Sequence, residues 1–111
     1  MAISPGFGDI PRNFSSYKDS KIVILPVTYD GTSTWIKGAD KGPEAIIEAS
    51  YNMYLYDTET DSEVYKHGIY TDETITEDQS PEKMVQAVKE RVSGHLNNNK
   101  FIVTIGGEHS V

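Results

Sequence analysis

Two apolar runs rich in β-branched residues place the strongest constraint on this sequence. KIVILPVTY is almost continuously apolar from Ile22 to Val27, and FIVTI follows much later, at 101–105. Runs of this length and composition are typical of strands buried on both faces, as in a parallel sheet. Pro26 cannot donate a hydrogen bond to a β-ladder, so we expect it to mark the end of the first strand or a bulge.

Two helical patterns lie between these runs. In GPEAIIEASYNMYLY, Pro43 suits the first helical position and Glu44 the first turn. Its apolar spacing predicts one stripe of Ile46, Ser50 and Met53 beside another of Ile47, Tyr51 and Tyr54. Ser80-Pro81-Glu82 supplies an N-cap, a proline and an acid for a second helix. Its buried face is predicted to comprise Met84, Val88, Val92 and Leu96.

A weaker strand is predicted for VYKHGIY at 64–70. The order is then strand, helix, strand, helix, strand. Alternation of this kind predicts an α/β fold with a parallel sheet and right-handed crossovers, in three αβα layers. Residues 1–20 carry prolines, glycines and a polar tail and are expected to form an irregular arm, with 21–111 belonging to a single α/β domain.

The composition excludes several classes of function. The 111 residues carry a net charge of −7, which argues against a nucleic-acid partner, because neutralising phosphates requires clustered Lys and Arg. The absence of cysteine excludes disulfides and thiolate metal sites, and it fits a cytoplasmic protein. The first ten residues lack the features of a signal peptide, and no apolar run approaches the roughly 20 residues that cross a bilayer. We therefore expect no membrane partner.

The second apolar run leads directly into the sequence GGEHS. Chemistry in open α/β sheets collects at the carboxyl ends of strands, where Gly106 and Gly107 would allow a sharp turn and a close backbone approach. His109 is then presented at that edge, where a neutral imidazole can bind a metal. Two alternatives are an ordinary loop histidine and a glycine turn that cradles an anion with its N–H groups. Asp30 follows the first strand on the same side and is expected to line a substrate entrance or to brace its loop.

Three further residues have simpler interpretations. His67, in the weak second strand, and His95, near a helix C-terminus, are expected to be structural or surface residues, and the helix dipole is sufficient reason for His95. Trp35 lies in the loop that follows the first strand. It is interpreted either as an exposed loop anchor or as an oligomer contact.

Two stretches together resemble the ureohydrolases, the arginase and agmatinase superfamily. VTYDGTSTWIKGADKGPEAIIEAS resembles the family's first segment, in which a strand leads into a Tyr-Asp-Gly loop, then a Gly-Ala and a Gly-Pro before an Ala-Ile helix. GGEHS resembles its first metal motif, commonly Gly-Gly-Asp-His-Ser, with Glu108 in place of the commoner Asp. The resemblance extends from about Ile22 to Val111, nearly the whole chain.

The resemblance implies an arginase-like fold and a hydrolase with two Mn²⁺ ions that cleaves a guanidino C–N bond and releases urea. His109 would be one metal ligand, and Glu108 and Ser110 would orient it or its neighbours. Agmatine, hydrolysed to putrescine in polyamine biosynthesis, is the first choice of substrate, because GGEHS and GADKGPEAI are closer to agmatinase-like members. Arginase and formiminoglutamase are the alternatives within the family, and a homo-oligomer is expected for the parent enzyme.

One histidine cannot hold two metal ions. The family's other ligands come from an Asp-Ala-His-x-Asp motif and an Asp-x-Asp motif, and neither string occurs in these 111 residues. We therefore interpret the sequence as the N-terminal βαβαβ portion of a ureohydrolase. Alone it is expected to be inactive, to bind Mn²⁺ weakly or not at all, and to self-associate through the exposed edge at Phe101 to Ile105. The alternative from another class is a non-catalytic α/β module that binds an anion or a partner chain.

Overall fold

The computed structural model describes residues 3–111 and contains one parallel sheet of three strands in the order β2-β1-β3. The strands are β1 (Ile22–Val27), β2 (Ile69–Thr71) and β3 (Phe101–Gly106), and the helices are α1 (Gly42–Ser50) and α2 (Pro81–Asn97). Single 3₁₀ turns occupy Phe7–Asp9, Arg12–Phe14, Ala39–Lys41 and Val64–His67. The predicted α/β alternation is confirmed.

The central strand β1 carries most of the core, with five of its six residues buried. Its alternate residues face opposite sides of the sheet. Leu25 and Val27 pack on the α2 side with Met84, whereas Pro26 shares a cavity with Pro43 and Ile47 of α1. The two helices therefore cover opposite faces, which gives the three predicted layers.

Pro26, predicted to mark the end of the first strand or a bulge, is the next-to-last residue of β1. Its carbonyl accepts a hydrogen bond from the Ile75 N–H at 2.9 Å. The N–H and C=O groups of a strand residue point to the same side, so the position of the missing N–H of Pro26 faces β2. β2 ends at Thr71 and does not extend opposite Pro26, so the ladder between β1 and β2 needs no N–H from this residue. The strand thus continues through Val27, which pairs with Gly106 of β3.

The second strand is shorter than the predicted 64–70. Residues 64–67 form a 3₁₀ turn, so His67 lies in that turn and not in a strand. Gly68 follows with φ +87°, and a Cβ built on it would lie 2.5 Å from the Ser20 Cα. Only glycine accommodates both the positive φ and this close contact. The ladder between β1 and β2 therefore begins at the next residue, Ile69.

The first helix is also shorter than its apolar pattern suggested, since it ends at Ser50. Of the two predicted stripes, Ile47 and Ser50 are buried, whereas Ile46, Tyr51, Met53 and Tyr54 are exposed. The Ser50 hydroxyl accepts a hydrogen bond from the Gly8 N–H at 2.7 Å. A contact with the N-terminal arm, which helical spacing could not reveal, therefore determines which side of α1 is covered.

The second helix begins as predicted. The Ser80 side chain accepts a hydrogen bond from the Lys83 N–H at 3.1 Å, with Pro81 and Glu82 in the first turn. Met84 is fully buried, and Val88 and Val92 pack against the core. Leu96, predicted to be buried, is 57% exposed.

His95 takes the buried place at this end of α2. Its Nε2 lies 2.7 Å from an Asp72 oxygen, and its Nδ1 lies 3.0 Å from the Tyr17 hydroxyl. Arg91 donates to the same Asp72 oxygen at 3.1 Å. His95 is thus structural, as predicted, although its reason is this polar cluster more than the helix dipole. Burial raises the pKa of Asp72, but the hydrogen bonds from His95, from the Glu73 backbone and from Arg91 outweigh it and hold that pKa below its ordinary value.

The arm at residues 3–20 is hydrogen-bonded to β2. The Ile3 N–H donates to the Thr71 carbonyl at 3.1 Å, and the Phe7 N–H donates to the Thr71 hydroxyl at 2.8 Å. A domain boundary at residue 20 stays a prediction. Within residues 3–111, no helix is both long enough and apolar enough to cross a membrane.

The outer edge of β3 has no partner strand among the described residues. The N–H groups of Phe101 and Gly107 donate to the carbonyls of Lys21 and Val27. Because ladder groups alternate along a strand, the odd-numbered residues of β3 bond to β1, and the backbone N–H of Thr104 points outward. Phe101 is 69% exposed at the start of this edge.

We expect Asp72→Ala to lower the free energy of unfolding by about 1–3 kcal/mol, because it leaves Nε2 of the buried His95 without its partner and removes the ion pair with Arg91, which retains its bond to the Glu73 carbonyl. Urea titration followed by far-UV circular dichroism measures the change. Asp78→Ala, at an exposed carboxylate of the loop before α2, is the matched control and should change stability little. Equal effects of the two substitutions would contradict the role assigned to Asp72.

The effect of Asp72→Ala on the free energy of unfolding should depend on pH. Because the pKa of Asp72 is lowered in the folded state, its contribution is complete above the ordinary aspartate pKa of about 3.9 and is lost as the pH falls through the folded value. The stability difference between the wild-type chain and Asp72→Ala should therefore be constant near neutrality and shrink below about pH 4.

We also expect the 111-residue chain to self-associate through β3, because an unpaired strand edge without charges recruits another strand. Sedimentation velocity over a range of concentrations should show association. Thr104→Pro removes one outward N–H without removing a bond to β1 and should give a monomer. Thr104→Val keeps that N–H and serves as the control. A wild-type chain that stays monomeric at every concentration argues against the prediction.

Candidate functional site at the carboxyl edge

The ends of β1 and β3 lie level with each other. β1 and β3 pair in parallel from Ile22↔Phe101 to Val27↔Gly106. The ladder continues past both strands, since the Gly107 N–H donates to the Val27 carbonyl at 3.1 Å and the Glu108 N–H donates to the Tyr29 carbonyl at 2.9 Å. The loop after β1 and the turn after β3 therefore emerge side by side at the carboxyl edge.

Gly107 is required by this close approach. A Cβ built on it would lie 2.1 Å from the Tyr29 carbonyl oxygen and 2.8 Å from the Tyr29 nitrogen. No side chain fits at those distances, and both contacts are with backbone that cannot give way easily. A Cβ on Gly106 would meet the Val111 side chain at 2.9 Å. The glycine pair thus allows the turn to lie flat against the chain that follows β1.

Asp30 holds the loop after β1 in place. One of its oxygens accepts a hydrogen bond from the Ser33 hydroxyl, and the other accepts from the Gly38 N–H at 2.6 Å. The Lys37 ammonium donates to the Asp30 carbonyl at 2.9 Å. Both carboxylate oxygens are therefore used within the loop, which is the bracing role weighed for this residue. A role for Asp30 at a substrate entrance stays a prediction.

Glu108 holds the turn after β3 and ties it to the other loop. Its Oε2 accepts a hydrogen bond from the Thr32 hydroxyl at 2.6 Å, and its Oε1 accepts from the Ser110 N–H at 2.7 Å and from the Ser110 hydroxyl. These hydrogen bonds, those from Ser110 first, lower the pKa of Glu108. Both of its oxygens are engaged, so Glu108 positions the turn. Thr32 was missed at the sequence level, because no local pattern links residues 76 positions apart.

Four backbone donors of this turn are also engaged. The N–H groups of Gly107 and Glu108 bond to the chain after β1, that of Ser110 bonds to the Glu108 carboxylate, and that of Val111 bonds to the Glu108 carbonyl at 3.3 Å. An anion cradle needs several free N–H groups converging on one point. These four N–H groups are therefore not available to an anion, and the anion-binding alternative stays a prediction.

His109 is the group of this turn that stays available. Its side chain is exposed, and its imidazole makes no hydrogen bond with the rest of residues 3–111. A neutral imidazole with free nitrogens is a good ligand for a divalent transition metal. In the described part of the chain, however, no three His, Cys, Asp or Glu side chains come close enough to hold an ion. A metal-ligand role for His109 would therefore need further ligands from outside the described residues, and it stays a prediction.

A cleft of about 490 Å³ separates the turn from the loop after β1. It is lined by Thr32 to Ile36, Ala39 and Gly107 to His109. Its volume lies within the usual range for a small-molecule site, about 300–1,000 Å³. The cleft thus places His109 beside an open space of useful size.

Replacing Gly107 tests this arrangement. We expect Gly107→Ala to lower the free energy of unfolding by about 1–3 kcal/mol, because the new methyl group forces apart the backbones of the two loops. Gly94→Ala is the matched control, since a Cβ there meets nothing within 4 Å and lies in the interior of α2. It should stabilise the chain by about 0.4–1 kcal/mol. Urea unfolding measures both, and equal changes would contradict the close approach.

Comparison with known proteins shows what this chain is similar to. Two relatives named N(1)-aminopropylagmatine ureohydrolase are similar in sequence. The one from Synechocystis sp. is 34% identical over 103 residues, which is 87% of this chain and 34% of the relative. The one from Thermus thermophilus is 32% identical over 96 residues, which is 86% of this chain and 33% of the relative.

The fold has a solved counterpart. The crystal structure of agmatine ureohydrolase of Thermoplasma volcanium matches with a TM-score of 0.78 at 24% identity, over 86% of this chain and 32% of that chain. This match confirms the expected arginase-like fold. The chain thus spans about a third of the length of the proteins that it matches. The arginase family model matches residues 20–111, nearly the range of the sequence resemblance, and the chain therefore belongs to the arginase family.

Proposed function

We propose that this chain supplies one metal ligand and part of the active-site scaffold to a manganese-dependent ureohydrolase that acts on a guanidino amine. The observation that carries the proposal is the state of His109. Among the polar groups of the turn after β3, its imidazole is left exposed and unbonded, while Glu108 and Ser110 hold each other in place. Membership of the arginase family supports the same chemistry.

The reaction is difficult without help. A guanidinium group is stabilised by resonance and is a poor electrophile. Hydrolysis adds water to the guanidino carbon and breaks its bond to the alkylated nitrogen, which takes a proton and leaves as the amine, while the remainder is released as urea. Two bound Mn²⁺ ions would lower the pKa of the attacking water and neutralise developing negative charge.

The residues of this chain have separate tasks in that site. His109 would contribute an imidazole to one of the two ions. Glu108 orients the turn that carries it, through its bonds to Thr32 and Ser110. The glycine pair lets this turn lie close to Tyr29. The other ligands must come from sequence outside these 111 residues, so the isolated chain should release no urea and bind Mn²⁺ weakly or not at all.

The proposed substrates are agmatine and its N¹-aminopropyl derivative. The first would give putrescine, as the sequence analysis favours, and the second is named by the relatives from Synechocystis and Thermus. Both are guanidines that carry a cationic alkylamine tail, and both products belong to polyamine biosynthesis. A cytoplasmic homo-oligomer is the proposed form of the complete enzyme.

The test is urea release by the full-length natural polypeptide that contains this sequence, loaded with Mn²⁺. We expect activity on at least one of the two substrates. His109→Ala should lower kcat by at least about 100-fold, since even residues outside the ligand shell cost about 10–100-fold in metal affinity or activity. His67→Ala, at an exposed histidine of the 3₁₀ turn before β2, is the control and should retain activity. An active His109→Ala variant, or urea release by the isolated 111-residue chain, would defeat the proposal.

A further inference from the structure

Trp35 is held in an unusually open position beside the candidate site. Its side chain is 91% exposed, and that of the neighbouring Ile36 is 73% exposed. The loop that carries them is braced from both ends, by Asp30 through Ser33 and Gly38 and by the bond between Thr32 and Glu108. A large apolar side chain on a braced loop, next to a cleft, is typical of a surface that becomes covered when a ligand binds.

The charges around the cleft indicate what kind of ligand it accepts. Trp35 and Ile36, from the loop after β1, and Glu108 and His109, from the turn after β3, all line it. Lys37 does not place its charge in the cleft, because its ammonium donates to the carbonyls of Asp30 and Ser33 behind the loop. Among the described residues that line the cleft, the one carboxylate is Glu108. The cleft therefore combines an aromatic wall with negative charge and suits a cation with an apolar body.

From this arrangement we infer that Trp35 contacts the cationic alkylamine tail of the guanidino substrate, with the guanidino end of the substrate towards His109. The inference rests on the proposed function and extends it, since it assigns specificity for the tail to a residue of this chain. The indole face attracts an ammonium group within about 6 Å of the ring centre, and the methylene groups of the tail gain apolar contact with the same surface.

The expected change in affinity follows from the solvent exposure of Trp35. Cation–π contacts at exposed positions change affinity by roughly two- to fivefold. The tail lies away from the carbon that reacts, so its contact is made equally in the ground state and in the transition state. Loss of such a contact raises KM and leaves kcat unchanged.

The experiment uses the full-length natural polypeptide and compares two variants on two substrates. Trp35→Leu should raise KM for agmatine and N¹-aminopropylagmatine by roughly two- to fivefold at unchanged kcat, whereas Trp35→Phe retains an aromatic face and should stay close to the wild type. Butylguanidine, which has the same four-carbon chain without the ammonium group, is the control substrate. Its KM should be the same in both variants.

The outcomes separate this inference from the proposed function. An equal rise of KM for agmatine and butylguanidine would show that Trp35 supports the loop and does not read the tail, and an unchanged KM for agmatine would also overturn the inference. Absence of urea release from the wild-type polypeptide would instead count against the proposed function.

Discussion

The parallel pairing of β1 with β3 is the interaction on which the rest of the structure depends. The two strands are far apart in sequence, yet they pair over six successive positions and end level with each other. This register brings the loop braced by Asp30 next to the turn that carries His109. A shift by one residue would turn the side chains of β3 to the opposite face and would separate the two loops. The pairing therefore fixes the core and the candidate site at once.

Two carboxylates show how this acidic chain uses its charges. Asp72 is buried and joins β2 to α2 through His95 and Arg91. Glu108 is bonded to both loops at the carboxyl edge. In each case hydrogen bonds stabilise the ionised form. These two carboxylates thus serve as connectors, whereas the imidazole of His109, the proposed metal ligand, makes no hydrogen bond within residues 3–111.

Sequence reasoning succeeded where the signal is local. The apolar runs gave β1 and β3, and the Ser80 cap gave the start of α2, because strand burial and capping depend on neighbouring residues. It failed where distant contacts decide. Gly68 must pass close to Ser20, which shortens β2. At the end of α2, His95 is buried in place of Leu96 because its imidazole contacts Tyr17 and Asp72.

The candidate site divides in the same way. The position of GGEHS at the end of a strand could be predicted, because the carboxyl ends of parallel strands share one edge. The bond between Thr32 and Glu108 could not, since it depends on the register of two strands.

The free edge of β3 links these observations to the incomplete ligand set. β1 occupies one side of β3, so a further parallel strand can add only on the other side, and its carboxyl end would then lie beside His109. The edge that leaves Phe101 exposed is thus also a place where a further strand could bring the other proposed metal ligands close to that imidazole.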